Sequence, residues 1–498
     1  MKNMTLTRVT EACNGQLFGD KDYTGSEAAG VVVDSRLVEK DYLFIATAGE
    51  RVDGHDFIDD VFDKGALAVV CEKAPASPKG PYILVGDSFA ALKSIAKWYR
   101  LQLDVKVVGI TGSVGKTSTK EFISSVLARK YNIIKTEGNF NNEVGMPLTI
   151  LKIREEHEIA VLEMGISNFG EMHRLSEIAK PDICVITNIG QCHLENLGSR
   201  QGILKAKTEI FDFMSEEGRV CINGDDDMLA TIKEIKGSKP IRFGINASNK
   251  IVSNVCVGND ISGNDVAGND VYATGVLNKG LFGSTCDIHV KSKSFHANIP
   301  LPGEHMVINA LAATSVGTLF DMTFEEIAIG IETVKPVGGR SNILRQDKWT
   351  IIDDCYNANP VSMKAAIDLL NMADTRKVAI LGDMGELGST EKALHKEVGA
   401  YAASGNIDVL VCVGKLSSNM YDGAAKIVEV KQDELTNQFV CHVQDEFKSQ
   451  FVCQVLLYFE TRDELIAALP TIVKKDDTIL VKASHFMGFD HIVNALLL

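Results

Sequence analysis

A glycine-rich turn that ends in a lysine and a threonine offers the clearest chemistry in the sequence. Residues 109–117 read Gly-Ile-Thr-Gly-Ser-Val-Gly-Lys-Thr. Glycines let backbone N–H groups face phosphate oxygens, and a helix N-terminus adds partial positive charge. Here Lys116 would bridge the terminal phosphates and Thr117 would ligate Mg²⁺. Ile110 departs from the general P-loop motif, and the alternative is a plain strand-to-helix turn with an exposed lysine.

Two further segments place polar groups after apolar runs. Glu163 follows the run at 159–162, and the run at 183–187 leads to Asn188 and His193. Ligands bind beyond the carboxyl ends of parallel strands, so a carboxylate and an imidazole there are candidates for a Mg²⁺ site. The alternatives are a solvent-facing acid and a structural histidine.

Strands and helices must hold these residues in place. Short apolar runs alternate with helical patterns in each of three successive segments of the chain. We expect an α/β protein with domains at 1–102, 103–336 and 337–498. The first is a small α/β domain, the second a P-loop ATPase-like domain with a mostly parallel sheet, and the third a Rossmann-like domain without the G-x-G-x-x-G fingerprint. Predicted strands lie at 31–33, 42–46, 68–71, 82–85, 105–110, 159–162, 183–187, 349–353, 378–381, 409–413 and 478–481.

Composition excludes several classes of protein. The chain has 498 residues and a formal net charge of −15, which argues against general nucleic-acid binding. It has neither a signal-like segment nor an apolar run long enough to span a membrane. Its 11 cysteines include no C-x-x-C pair and suit free thiols in a reducing cytoplasm. We expect a cytoplasmic monomer without a membrane or nucleic-acid partner.

Two repeats have no chemistry assigned to them. Gly-Asn-Asp recurs at 258–260, 263–265 and 268–270, and Gln-Phe-Val-Cys recurs at 438–441 and 450–453. A surface turn or hairpin insertion is the favoured interpretation of the first, with calcium binding as the alternative.

The motifs, in their order along the chain, resemble the Mur ligases, which build the peptide of bacterial cell-wall precursors. The resemblance rests on the loop at 111–117, Glu-Met-Gly at 163–165, Thr-Asn-Ile-Gly-Gln-Cys-His-Leu-Glu at 187–195 and Lys-Ala-Lys-Thr-Glu-Ile at 205–210. The resemblance continues with Asn-Gly-Asp-Asp at 223–226, the segment 303–310 and Gly339-Arg340. Many relatives have asparagine where Met306 stands. The family resemblance implies an ATP-dependent, ADP-forming amide-bond ligase that acts through an acyl phosphate.

The resemblance also implies roles for individual residues, with ATP and Mg²⁺ as cofactors. Lys116, Lys207 and His193 are the implied catalytic residues. The implied metal ligands are Thr117, Glu163, His193 and a carbamylated Lys207. The implied ATP-binding residues are Thr111, Gly112, Ser113, Val114, Gly115, Lys116, Thr117, Ser118, Asn223, Asp225, His305, Asn309, Arg340 and Asp354.

Other strings resemble the family members that add D-alanyl-D-alanine to UDP-N-acetylmuramoyl-tripeptide, and imply those two substrates. They lie at 136–149, 353–360 and 381–388, while 34–36 and 49–57 resemble the part of the first domain that holds the UDP-sugar. The implied substrate-binding residues are Ser35, Arg36, Asp53, His55, Asn139, Asn141, Asn142, Asn357, Asn359, Lys482 and Ser484. Ala483 and His485 stand where relatives have glycine and arginine, and neutral His485 is the poorer partner for a carboxylate.

Three other functions share parts of this pattern. A ligase for a diamino acid or for folate glutamates would use the same ATP loop, but the strings at 353–360 and 381–388 favour the dipeptide. A nucleotide switch would hydrolyse ATP without joining anything. A binding protein with an inactive site would not need the intact Lys116, Thr117, Glu163, His193 and Lys207.

Overall fold

The computed structural model describes residues 1–49, 52–245, 268–432, 439–443, 453 and 455–498. Three β-sheets organise this part of the chain, and their strands lie within residues 16–84, 106–299 and 342–482. Each predicted domain contains one sheet, while the boundaries at 102 and 336 stay predictions. No helix among the described residues is long and apolar enough to cross a membrane.

The first sheet is small and mostly parallel, with strand order β1-β5-β4-β3-β2 and only β1 antiparallel. Its strands are β1 (Gln16–Phe18), β2 (Gly30–Val32), β3 (Tyr42–Ile45), β4 (Ala68–Cys71) and β5 (Tyr82–Leu84). The helices around it are α1 (Leu6–Ala12), α2 (Ile58–Asp63) and α3 (Ser88–Arg100). The predicted strands are therefore confirmed to within a residue at their ends.

The central sheet has the order β14-β13-β12-β11-β10-β9-β6-β8-β7 and is parallel from β7 to β12. Its strands are β6 (Lys106–Thr111), β7 (Ile133–Lys135), β8 (Ile159–Glu163), β9 (Ile183–Ile186), β10 (Arg219–Asn223), β11 (Ile241–Gly244), β12 (Val271–Asn278), β13 (Ser284–Val290) and β14 (Lys293–Ile299). The helices are α4 (Lys116–Leu127), α5 (Gly145–Leu151), α6 (Glu171–Ala179), α7 (Leu194–Leu197), α8 (Arg200–Thr208), α9 (Glu304–Leu319) and α10 (Phe324–Glu332). Because β6, β8 and β9 are parallel neighbours, residues after them meet at one edge.

The third sheet has the order β15-β16-β22-β17-β18-β21-β20-β19, with a parallel centre and antiparallel ends. Its strands are β15 (Asn342–Arg345), β16 (Thr350–Asp353), β17 (Lys377–Gly382), β18 (Val409–Val413), β19 (Val428–Gln432), β20 (Phe439–Val443), β21 (Val455–Phe459) and β22 (Thr478–Lys482). The helices are α11 (Pro360–Asn371), α12 (Glu391–Ala403), α13 (Ser418–Ala425), α14 (Arg462–Ile472) and α15 (Asp490–Leu497). Helices pack on both faces, as a Rossmann-like sheet requires.

The apolar core explains why these segments form these elements. On α4 the predicted face of Phe122, Ile123, Val126 and Leu127 is fully buried. One continuous core joins the first sheet to one face of the central sheet, and a second core fills the opposite face under α4 and α9. The glycine-rich turn at 109–117 therefore lies between a strand and a helix that are packed into the core.

Several sequence-based predictions cannot be compared with the structure. Glu50, Arg51, the Gly-Asn-Asp copies at 258–260 and 263–265, and most of the Gln-Phe-Val-Cys repeat lie outside the described residues. The third copy is described, and there the Asn269 side chain is buried.

Candidate active site

The glycine-rich turn joins β6 to α4, which is the strand-to-helix context that the sequence predicted. Gly115 caps α4 with a φ of 83°, in the left-handed region that suits glycine. The Lys116 ammonium donates to the carbonyl of Gly112 at 2.8 Å, so it folds back over the turn. The lysine and the helix N-terminus thus face the same space, where an anion would be stabilised.

Residues after β9 hold this turn in shape. The side chain of Asn188 accepts from the Val114 N–H at 3.0 Å and donates to the Val114 carbonyl at 2.8 Å. Thr187 Oγ1 donates to the same carbonyl at 2.7 Å, and Ser113 Oγ accepts from the Gly190 N–H at 2.8 Å. The segment that the sequence linked to metal binding therefore also fixes the phosphate loop.

Gly112 is the position in this turn where a side chain has least room. A Cβ there would lie 1.9 Å from Thr187 Oγ1, and the φ of Gly112 is 152°. We expect Gly112→Ala to raise the KM for ATP about tenfold and to cost about 1–3 kcal/mol of stability, because the loop must shift to relieve the clash. Gly190→Ala is the matched control, since its methyl would meet Ser113 Cβ at 3.4 Å, an ordinary contact. Equal KM values in the two variants would contradict this prediction.

Glu163 ends β8 and is 1% exposed, so it is not a solvent-facing acid. Thr117 Oγ1 donates to its Oε2 at 2.7 Å, and Asn141 Nδ2 donates to its Oε1 at 2.8 Å. The hydroxyl and carboxylate predicted to ligate Mg²⁺ are thus in direct contact. Asn141, predicted to bind substrate, also orients this carboxylate.

Lys207 lies on α8 and is fully buried, and its Nζ has no hydrogen-bond partner among the residues that the structure describes. Burial, reinforced by the nearby Lys116 cation and partly opposed by Cys192, lowers the pKa of Lys207 to about 7. A neutral, unpartnered amine is the species that reacts with CO₂, so these surroundings fit a carbamate. Among the described residues no group of three or more His, Cys, Asp or Glu could hold a metal ion. The metal ligands implied by the family resemblance, Thr117 with Glu163 for one Mg²⁺ and His193 with a carbamylated Lys207 for a second, stay predictions.

His193 connects the central sheet to the third one. Its backbone has a φ of 52°, and its Nδ1 lies 2.7 Å from Glu386 Oε2. The His193 contact lowers the pKa of the Glu386 carboxyl, although burial opposes it. Glu386 belongs to the string at 381–388, so the predicted metal ligand contacts the third domain.

A cavity of about 750 Å³ opens in front of the phosphate loop, between the second and third sheets. Most of the predicted ATP and metal residues border it: Ser113, Val114, Gly115, Lys116, Ser118, Glu163, His193, Asn223, His305, Asn309, Arg340 and Asp354. So do five predicted substrate residues: Asn141, Asn142, Asn357, Asn359 and Lys482. Burial lowers the pKa of His305, which favours the neutral imidazole at the cavity wall.

On the side of the cavity opposite the phosphate loop, several of the lining side chains contact one another. Lys482 is 2% exposed, and it donates to Asp354 Oδ2 at 2.6 Å and to the Asn357 carbonyl at 2.9 Å. The guanidinium carbon of Arg340 lies 4.0 Å from the centre of the Tyr356 ring. Lys482, predicted to bind substrate, and Asp354, predicted to bind ATP, thus form one partly buried ion pair.

Three family models match the chain. "Mur ligase family, catalytic domain" matches residues 27–97, "Mur ligase middle domain" matches 110–317, and "Mur ligase, glutamate ligase domain" matches 339–485. The UDP-N-acetylmuramoyl-tripeptide–D-alanyl-D-alanine ligase of Bacillus subtilis is 36% identical over 502 residues, covering 100% of this chain and 99% of its own. The enzyme of the same name from Escherichia coli is 31% identical, with the same coverage. The chain belongs to the Mur ligase family.

Solved structures of Mur ligases have the same fold. MurF from Acinetobacter baumannii superposes with a TM-score of 0.82 at 30% identity, covering 99% of this chain and 98% of its own. MurF ligase from Thermotoga maritima, solved in complex with ADP, gives a TM-score of 0.74 at 26% identity and covers 94% of this chain and 96% of its own. The expected three-part α/β fold is confirmed.

Other predicted residues of this Mur ligase lie away from the cavity. Four of them, Thr111, Gly112, Thr117 and Lys207, are buried and are not among the residues that line it. Asp225 accepts from the Ile245 N–H at 2.6 Å and from Asn269 Nδ2 at 3.0 Å, so it orders its own loop. Buried Ser484 accepts from the Gly385 N–H at 2.9 Å, and Asn139 is exposed. Their ligand contacts stay predictions.

The predicted UDP-sugar residues lie in the first domain and do not border the cavity. Arg36 forms an ion pair with Asp34 at 2.6 Å and is 85% exposed beside Ser35, so it can reach a ligand in solvent. His55 Nδ1 lies 2.6 Å from Asp53 Oδ1, and its Nε2 accepts from the Glu72 N–H at 2.9 Å. The Glu72 N–H therefore fixes the His55 proton on Nδ1. Their role toward the sugar stays a prediction.

Sequence reasoning did not single out Lys120, although a signal was available. Ile123 and Leu127 follow it by three and seven residues, a spacing that places Lys120 on the apolar face of α4. Glu386 carried no such signal, because its contact joins residues far apart in the chain.

Proposed function

We propose that this chain joins D-alanyl-D-alanine to UDP-N-acetylmuramoyl-tripeptide in peptidoglycan precursor synthesis, converting ATP to ADP and phosphate. The carrying observation is the direct contact of Thr117 with buried Glu163 behind a phosphate loop that opens into a cavity reaching the third domain. Relatives that match over the whole chain have this activity in their names. The first domain would hold the UDP-sugar, the second ATP and the third the dipeptide.

The reaction must activate a carboxylate, since carboxylate and amine do not condense in water at useful rates. An oxygen of the terminal tripeptide carboxylate attacks the γ-phosphorus of ATP. A new P–O bond forms, the bond from that phosphorus to the β,γ-bridging oxygen breaks, and ADP leaves. The amine nitrogen of D-alanyl-D-alanine then attacks the acyl carbon. The C–N bond forms, the C–O bond to phosphate breaks, and the nitrogen loses a proton as phosphate leaves.

The residues of this chain stabilise the charge that spreads over the transferred group. Lys116 and the N-terminus of α4 supply positive charge at fixed positions. Thr117 and Glu163 would hold one Mg²⁺, and His193 with a carbamylated Lys207 would hold a second, and these cations would neutralise charge on the phosphate oxygens. Closure of the domains over the substrates would exclude water and so protect the acyl phosphate from hydrolysis.

A phosphate-release assay with ATP, UDP-muramoyl-tripeptide and D-alanyl-D-alanine tests this proposal, with each component omitted in turn. We expect release to require all three. Release that does not depend on the dipeptide would favour the nucleotide-switch alternative instead.

We also propose a cytoplasmic monomer, and the nine cysteines identified as free thiols in the described residues suit a reducing compartment.

His485 is expected to limit dipeptide affinity. It is exposed, and its ring centre lies 5.5 Å from that of Tyr356, which borders the cavity. We expect His485→Arg to lower the KM for D-alanyl-D-alanine by about fivefold at most, because an ion pair open to water contributes up to about 1 kcal/mol. The KM for ATP is the internal control and should not change. An unchanged dipeptide KM would show that residue 485 does not meet the carboxylate.

A further inference from the structure

Lys120 is a buried cation without an assigned role. It lies on α4, one turn after Lys116, and is 2% exposed. Its Nζ donates to the Thr136 carbonyl at 2.7 Å and lies 3.2 Å from Glu121 Oε1 and 3.9 Å from Glu163 Oε2. Burying an ammonium is costly, and an apolar residue of similar volume would generally be cheaper. A lysine here therefore calls for a function beyond packing.

Thr136 contacts both Lys120 and Glu163. Its Oγ1 accepts from the Glu163 N–H at 2.9 Å, while its carbonyl accepts from Lys120. Thr136 also begins the string at 136–149 that is predicted to bind substrate and is here called the substrate loop, and Asn141 of that loop donates to Glu163 Oε1. Lys120 thus lies where the phosphate-loop helix, the end of β8 and the start of the substrate loop meet.

The charges around Lys120 continue toward the surface. Glu121 is 15% exposed and pairs with both Lys120 and the half-exposed Lys135. Inside, Glu163 is 1% exposed, so Lys120 supplies a cation beside a deeply buried carboxylate. Removal of Lys120 would leave the Thr136 carbonyl without this donor and Glu163 without this counter-charge.

We propose that Lys120 is a positioning residue that holds the Glu163 carboxylate and the substrate loop at 136–149 in one fixed arrangement. ATP binding at the phosphate loop and substrate binding at 136–149 then depend on the same ammonium group. The inference rests on the proposed function. A misplacement of about 1 Å at a reacting centre can cost on the order of 10²-fold in rate, which is the scale on which such a residue acts.

The experiment compares Lys120→Met and Lys120→Arg with the unsubstituted chain. Lys152→Met is the matched control, because Lys152 bonds to Glu137 of the same loop at 2.6 Å but is 51% exposed. Dipeptide-dependent phosphate release gives kcat and the KM values for ATP and UDP-muramoyl-tripeptide. Hydrogen–deuterium exchange of peptides covering 136–149 reports on the loop without requiring activity.

We expect Lys120→Met to raise both KM values about tenfold and to speed exchange at 136–149, while Lys120→Arg recovers part of the loss. Lys152→Met should keep both KM values within twofold. A purely structural lysine would instead lower kcat with the folded fraction and leave KM unchanged, which would overturn the proposal. Equal KM values in Lys120→Met and Lys120→Arg would also overturn it.

Lys120→Met could prevent folding, because it leaves two carboxylates near the vacated site. The double variant Lys120→Met/Glu121→Gln removes a partner charge together with the lysine, which costs far less than breaking the pair. With Glu121→Gln as its control, the double variant should show the same tenfold rise in both KM values, and unchanged values would overturn the proposal. Failure of the unsubstituted chain to release phosphate would remove the proposed function, whereas exchange at 136–149 would still test the positioning role.

Discussion

Replacing Lys116 with alanine is expected to lower turnover by roughly 10²-fold or more, the scale of losing one preorganised charge contact in a transition state. The Lys116 ammonium lies over the phosphate loop at 2.8 Å from the Gly112 carbonyl and borders the cavity. Phosphoryl transfer spreads negative charge over the transferred group, and that charge would lose a fixed cation. Dipeptide-dependent phosphate release at saturating ATP measures the effect.

Lys130→Ala provides the control for Lys116→Ala. Lys130 lies three residues past the end of the same helix, is exposed, and donates to the Asp321 carbonyl at 2.9 Å. Its loss should change turnover by less than twofold. Near-normal turnover in Lys116→Ala, with normal dipeptide dependence, would remove the phosphate role of Lys116.

Lys207 is expected to make activity depend on CO₂ and on pH. Only its neutral amine can attack CO₂, forming a C–N bond and releasing a proton, and its pKa is about 7. Enzyme depleted of CO₂ should therefore regain activity with bicarbonate at pH 8 but regain little at pH 6. Lys207→Ala should lower turnover by roughly 10²-fold, because the carbamate that would hold a charge-neutralising Mg²⁺ is lost.

Lys205→Ala is the matched control for this prediction, since Lys205 lies on the same helix but is exposed. Its recovery with bicarbonate should follow that of the unsubstituted chain. Equal recovery at pH 6 and pH 8, or full activity in Lys207→Ala, would contradict a carbamate at this position.

The pKa of Lys207 can also be tested by a measurement of stability that does not require catalysis. In CO₂-free buffer the folded pKa of about 7 lies below the unfolded value of about 10.4. Between these values the unfolded chain binds more protons. The cost of burying the ammonium is thus fully present below pH 7 and is relieved as pH rises. The free energy of unfolding, compared with Lys207→Met, should rise by about 1.4 kcal/mol per pH unit across this window.

The sequence by itself determined the phosphate loop, because that motif is local. Gly115 and the start of α4 depend on backbone conformation over a few residues, so their types and spacing suffice. The apolar runs likewise determined the strands and the α/β class. Long strings such as those at 353–360 and 381–388 indicated the family, which the matches over the whole chain confirm.

Tertiary structure alone decided which polar groups meet. Lys482 pairs with Asp354 across 128 residues of sequence, and His193 meets Glu386 of another domain. The burial that lowers the pKa of Lys207 to about 7 also arises only when helices and sheets pack around it. Burial and the approach of distant charges are properties of the packed chain. They control the charges at this site, and no local pattern of residues encodes them.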